Sequence, residues 1–114
     1  MSDSIYQVYR LVARRPILAN VTVGVSGPAI RPIAVRCVYE IAQALDVPII
    51  GTGGVSSGAD ALEMIMAGAT AVGIGSALET DGEEIFGRVL REIAALMSEL
   101  GVATLDEIRG CAHV

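Results

Sequence analysis

Apolar positions along the chain change period several times, and each change marks an element. Ile5, Val8, Tyr9 and Val12 recur at i, i+3, i+4 and i+7, which predicts a helix over about residues 3–13. The same stretch is rich in residues that favour strands (Ile5, Tyr6, Val8, Tyr9, Val12). Arg15-Pro16 ends it, because a residue before proline is pushed out of the α region. Residues 17–25 (ILANVTVGV) read as a short strand and loop.

Ser26-Gly27-Pro28-Ala29-Ile30-Arg31-Pro32 is turn punctuation that runs into a helix over 32–45. Pro32 suits its first turn, where a missing N–H breaks no bond. Ile33, Cys37, Ile41 and Ala44/Leu45 form the apolar face expected for it. Val47-Pro48-Ile49-Ile50 is a short continuous apolar run and predicts a buried parallel strand over 47–50. Gly51-Thr52-Gly53-Gly54 follows as a loop. Ser57 and Asp60 make a near-capping-box start to a helix over 58–67, which Gly68 ends. Ala71-Val72-Gly73-Ile74 predicts a second buried strand, followed by Gly75. Thr80 and Glu83 have capping-box spacing and open the longest helix, about 81–100, with Ile85, Val89, Ile93, Met97 and Leu100 inward. Gly101 stops it, and Thr104 with Glu107 caps a last turn before Gly110.

Strands alternating with helices of this length give βαβ units, an α/β fold with a parallel sheet. At 114 residues the chain is one domain in size, about half of the roughly 200 residues a minimal (β/α)8 barrel needs. Hydrophobic residues make up 53% and mean hydropathy is +0.59, which excludes a disordered chain. The longest uncharged stretches, Pro16–Ile30 and Met64–Leu78, are 15 residues each, short of the about 20 that span a bilayer. No membrane segment and no secretory signal are expected. Cys37 and Cys111 have neither a metal-ligand spacing nor a disulfide framework, so a reducing, cytoplasmic setting is the default.

The net charge of −5 is unevenly spread: residues 1–36 carry +4 and residues 37–114 carry −9. There is no basic stripe with interleaved aromatics, which argues against nucleic-acid binding. All eight basic residues are Arg; without Lys there is no Schiff-base amine and no lysine proton donor. The single histidine, His113, lies one residue from the end, a poor place for a rigid base.

The glycine loops carry the candidate chemistry. Both follow parallel strands, the edge at which α/β barrels place their sites. Glycine lets backbone N–H groups approach phosphate oxygens closely, and a following helix N-terminus adds positive dipole. Gly53-Gly54 offers one pair of N–H groups, and Gly75-Ser76 a second with a hydroxyl, so two loops can clamp one phosphate without lysine. A lone Gly-Gly is more often just a short turn. Gly27 either brings backbone to a ligand or merely enters a helix. Arg31 and Arg36 either pair an anion or sit solvated, and Asn20 either bonds a ligand or caps a turn. Cys37 reads as a core filler.

The run Arg15-Pro-Ile-Leu-Ala-Asn20, followed by Val25-Ser-Gly-Pro-Ala-Ile-Arg-Pro-Ile-Ala-Val-Arg36, resembles the C-terminal third of class 1B dihydroorotate dehydrogenase. So do Val47-Pro-Ile-Ile-Gly-Thr-Gly-Gly-Val55, Asp60–Ala69, Ala71-Val-Gly-Ile-Gly-Ser76 and Leu105–Cys111. The resemblance covers about residues 15–112 and leaves 1–14 as a non-matching segment. Gly-Gly and Gly-Ser pairs are common to many phosphate-binding barrels, including IMP dehydrogenase; Ser-Gly-Pro-Ala-Ile-x-Pro is more specific. The resemblance implies the last two βα units of a partial TIM barrel, to which the helical spacing over 3–13 adds an N-terminal helix. It also implies flavin mononucleotide (FMN) contacts at Gly27, Gly53, Gly54, Gly75 and Ser76, the last four at the phosphate. Val23-Gly24 replaces the family's usual Gly-Gly.

The family's cysteine base, its lysines and its orotate-binding asparagines have no matching segment here. The implied protein is a fragment of a dihydroorotate-oxidising flavoprotein of pyrimidine biosynthesis, inactive alone. The alternative is a non-catalytic oligomerisation or phosphate-binding module. Two apolar strands with free edges need covering. A homo-oligomer, most simply a dimer, or a complementary chain carrying the rest of the barrel is expected.

Overall fold

The computed structural model describes the backbone of residues 4–6 and 9–10 and all of residues 14–114. The N-terminal helix expected over 3–13 is replaced, where described, by β1 (Ser4–Tyr6) and β2 (Tyr9–Arg10); residues 1–3, 7–8 and 11–13 lie outside the described residues. β2 pairs antiparallel with β3 (Arg15–Pro16), and β1 pairs antiparallel with β4 (Val23–Val25), Ser4 opposite Val25. The β-branched and aromatic content wins over the helical spacing because a pairing strand, β4, is available nearby in sequence.

A short 3₁₀ turn, Pro28–Ile30, leads into α1 (Arg31–Ala44). Its buried positions are Ala34 and Val38, with Val35, Tyr39 and Ala42 packed beside them. The expected face is therefore rotated: Ile33, Ile41 and Leu45 are exposed and Cys37 is half-buried. Small residues face the neighbouring helix because the two approach closely. A Cβ on Gly68 would stand 2.5 Å from that of Ala42.

β5 (Ile50–Thr52) and β6 (Ala71–Gly73) form the parallel pair, Ile50 opposite Ala71 and Thr52 opposite Gly73. The first strand thus begins later than 47–50 and takes in Gly51 and Thr52; the second stops one residue short of Ile74. Pro48 has no N–H for a ladder. Just before the ladder, Ile49 donates to Thr70 Oγ1 at 3.2 Å, and its carbonyl accepts from Thr70 and Ala71. Burial on both faces does not hold either. Ile49 and Gly51 face the helices, while Ile50 is 72% exposed on the face it shares with Thr52, Ala71 and Gly73.

α2 (Gly58–Ala67) is the central helix, packed between α1 and α4 (Glu84–Leu100) and against the sheet. Ser57 caps it as expected, its hydroxyl accepting from the Asp60 N–H at 3.2 Å. Met64 and Ile85 are the largest fully buried side chains among the described residues. Each contributes on the order of 1.5–3 kcal/mol by burial. Where α2 meets α4 the backbones nearly touch. A Cβ on Gly58 would lie 2.5 Å from that of Glu92, so only glycine fits.

The helix expected over 81–100 is α4, which starts three residues later, and a short separate helix precedes it. α3 (Ala77–Asp81) ends at Gly82, whose φ of 74° breaks the run, and α4 starts at Glu84. Thr80 lies inside α3 and makes no cap to α4. Thr104 makes no side-chain cap either; Glu107 reaches back instead, accepting from the Ala103 N–H at 3.3 Å. The C-terminal tail folds over the end of α2. Gly110 and Ala112 donate to the carbonyls of Ile65 and Met66, and His113 Nε2 bonds that of Ala67 at 2.7 Å. These are the carbonyls a helix end leaves without partners.

Candidate functional site

Three loops meet at the C-terminal ends of β5 and β6. The first, around Ser26-Gly27, precedes α1; the second, Gly53–Ser57, links β5 to α2; the third, around Gly75-Ser76, links β6 to α3. Gly54 fastens the first two. Its φ is 72°, and a Cβ there would meet Arg31 Cβ at 2.7 Å and the Gly27 carbonyl at 2.8 Å. Both the handedness and the close approach require glycine.

The loops enclose a cavity of about 380 Å³ lined by Ser26, Thr52, Gly53, Gly54, Gly75 and Ser76, with Ile30, Val55 and Glu79. A second cavity of about 350 Å³ adjoins it and adds Gly27, Pro28 and Asp81. All five sequence-predicted positions, Gly27, Gly53, Gly54, Gly75 and Ser76, therefore come together here. A Cβ on Gly27 or Gly75 would enter open space. The N–H groups of Gly54, Gly75 and Ser76 donate to no acceptor among the described residues. A concave, glycine-lined cradle with undirected N–H donors has the chemistry of an anion site.

Among the described residues the wall carries no arginine, and its charged groups are the carboxylates of Glu79 and Asp81. Recognition of an anion here thus falls to backbone N–H groups and hydroxyls. The dipole of α2 is not free to help. Gly58 donates to Glu92 Oε2 at 2.7 Å, and Ser56 donates through both N–H and hydroxyl to Asp60 Oδ2. Those carboxylates already occupy the helix N-terminus.

Of the other candidates, Arg31 pairs with Asp60 at 3.0 Å and lies 3.3 Å from Glu63, without a hydrogen bond at Nε. Arg36 pairs with Glu40 at 2.8 Å. Both arginines answer the protein's own carboxylates. Asn20 sits exposed in the turn before β4 and lines neither cavity. His113 stacks on Tyr39, ring centroids 4.0 Å apart, far along the chain from the cradle loops. Sequence reasoning missed Thr52 and Glu79. Strand alternation with Ile50 is the signal that places Thr52 on the open face.

The model of the dihydroorotate dehydrogenase family matches residues 2–97. The catalytic subunit of dihydroorotate dehydrogenase B (NAD(+)) from Methanothermobacter thermautotrophicus is 48% identical over 99 residues, 87% of this chain and 33% of that protein. The corresponding subunit from Geobacter sulfurreducens is 48% identical over 101 residues, 89% of this chain and 33% of that protein. Among solved structures, ligand-free DHODH from Eimeria tenella superposes with a TM-score of 0.78 at 27% identity, covering 90% of this chain and 29% of that one. The chain spans about a third of the length of these curated relatives.

Proposed function

The chain belongs to the dihydroorotate dehydrogenase family, and from that premise we propose that it is the FMN-phosphate-holding part of a dihydroorotate-oxidising flavoprotein. The observation that carries this reading is the convergence of Gly27, Gly53, Gly54, Gly75 and Ser76 on one cradle with N–H donors to offer. The residues present fit a phosphate. Gly75 leaves room for it, and the Gly54, Gly75 and Ser76 N–H groups with the Ser76 hydroxyl supply donors. The flavin itself supplies hydride acceptance; this chain binds and orients its phosphate end.

In the parent reaction, the conversion of dihydroorotate to orotate, a base would have to take one proton from the substrate. This chain offers no lysine, and no residue described around the cradle is a histidine or cysteine. The base and the substrate contacts are therefore assigned to another part of the barrel, and the chain alone is inactive. General-base placement is typically worth about 10² to 10⁴ in rate. The exposed sheet face around Ile50 supports a partial barrel that another polypeptide covers, a second copy or the complementary strands.

The test is to titrate FMN and inorganic phosphate while following backbone amides, and to assay dihydroorotate oxidation in parallel. Shifts at Gly53, Gly54, Gly75 and Ser76 without turnover are expected. Shifts confined elsewhere, or steady turnover by this chain with FMN, would sink the reading. A non-catalytic assembly module has one observation in its favour, the uncovered apolar surface. It is the reading left if the particle assembles and the cradle stays silent.

A further inference from the structure

We propose that Arg88, outside the cradle, is the positioning residue that holds its second and third loops in register. This rests on the reading of the cradle as an anion site. The glycine loops have little to fix them from within, since the Gly54, Gly75 and Ser76 N–H groups make no bond among the described residues. What fixes them lies behind, on α4. Arg88 Nη2 donates to the Ser56 carbonyl at 2.9 Å and to Asp81 Oδ2 at 2.8 Å. One guanidinium nitrogen thus joins the loop after β5 to the helix after β6. Its Nη1 donates to Glu92 Oε1 at 2.8 Å, and Glu92 Oε2 accepts from Gly58 at 2.7 Å, which fixes the start of α2 to the same point.

The chain of contacts continues to the first loop. Ser56 also donates to Asp60, and Asp60 pairs with Arg31, whose backbone abuts Gly54. All three loops therefore hang on one polar line, Arg31–Asp60–Ser56–Arg88–Asp81. Asp60 is 9% exposed, so its end of the line is anchored in the core. Arg88 is the only member of the line that bridges the second and third loops. A planar fork with five donors can hold three acceptors at once; an ammonium on a flexible stem cannot hold the same geometry. Anion sites built from backbone N–H groups depend on this kind of support, because small displacements misaim the donors.

The experiment titrates inorganic phosphate into the wild-type chain, Arg88→Gln and Arg88→Lys, at low and at high salt, following the Gly54, Gly75 and Ser76 amides. Positioning predicts about tenfold weaker binding in Arg88→Gln at both salts, with Arg88→Lys recovering only part of it. A mere through-space charge effect predicts a wild-type-like Arg88→Lys and a deficit that vanishes at high salt; that result overturns the proposal. A second arm needs no ligand. Asp81→Ala removes the acceptor on one side of the bridge at an exposed position. Hydrogen exchange should quicken at Leu78 and Glu79, which bond the Gly75 and Ser76 carbonyls, and stay unchanged at Gly110 and Ala112 in the tail. Unchanged exchange at Leu78 and Glu79 overturns the role even where Arg88→Gln fails to fold. A wild-type cradle silent at millimolar phosphate overturns the anion reading and this role with it; a responsive wild type matched by Arg88→Gln overturns the role alone.

Discussion

Glu92 uses its two carboxylate oxygens for two elements, one for the Gly58 N–H at the start of α2 and one for Arg88. The Gly58 N–H first, and the Arg88 guanidinium second, hold its carboxyl below the ordinary value of 4.5. A carboxylate with a lowered folded value stabilises the fold fully above its unfolded value and loses that contribution as pH falls through the folded one. The midpoint of urea unfolding should therefore drop as pH falls below 4.5. Glu92→Gln should remove part of that slope and lower stability at neutral pH. A pH profile identical to wild type would show that Glu92 carries none of it. Glu79 acts in the opposite sense at the cradle wall, where its charge opposes an incoming anion.

At the scale of elements, the C-terminal tail covers the end of α2. Helix ends leave carbonyls without partners, and here three of them, Ile65, Met66 and Ala67, are met by residues 110–113. Arg109 reaches two carbonyls beyond Gly68, those of Ala69 at 3.1 Å and Thr70 at 3.3 Å, and so pins the entry to β6 as well. His113 adds a ring stacked on Tyr39 of α1, tying α1 to α2 through the tail. His113→Ala should cost about 1–2 kcal/mol of stability, from one hydrogen bond and one stacked pair. Chemical denaturation checks this, and a change under about 0.3 kcal/mol would mean the tail is held by its backbone bonds alone. Phosphate shifts at the cradle should be unaffected, since the tail packs on the opposite end of α2.

On the scale of the molecule, three apolar surfaces have no cover among the described residues. One is the sheet face with Ile50, 72% exposed. Another is the stripe of Ile33, Ile41 and Leu45 on α1. The third is a groove of about 370 Å³ between β6 and α4, lined by Val72, Ile74, Phe86, Leu90 and Ile93. Contiguous exposed apolar surface marks an interaction site, and each strand of the parallel pair has a free edge among the described residues. Sedimentation at micromolar concentration should show a species heavier than 11.8 kDa, most simply a dimer. Ile50→Glu should shift it toward monomer. A stable, folded monomer of the wild type would show that these surfaces tolerate water.

The sequence by itself determined what depends on neighbours close along the chain. The limits of α2 were legible because Ser57 caps it and Gly68 ends it, both local backbone effects. So were the alternation of strand and helix and the glycine positions around the cradle, together with the family motif that runs through them. What the sequence misplaced depends on partners distant in the chain. The segment before Arg15 has a helical spacing, yet pairing with β4 and β3 makes strands of Ser4–Tyr6 and Tyr9–Arg10. α1 has two apolar stripes, and only the close approach of α2 selects Ala34 and Val38 over Ile33 and Ile41. Arg88 and Glu92 carried no signal in the sequence, because periodicity cannot tell that Ser56, Gly58 and Asp81 will stand within 3 Å of them. Local geometry fixes which conformation a segment prefers; only the packed fold brings a carboxylate on one helix to the N-terminus of another.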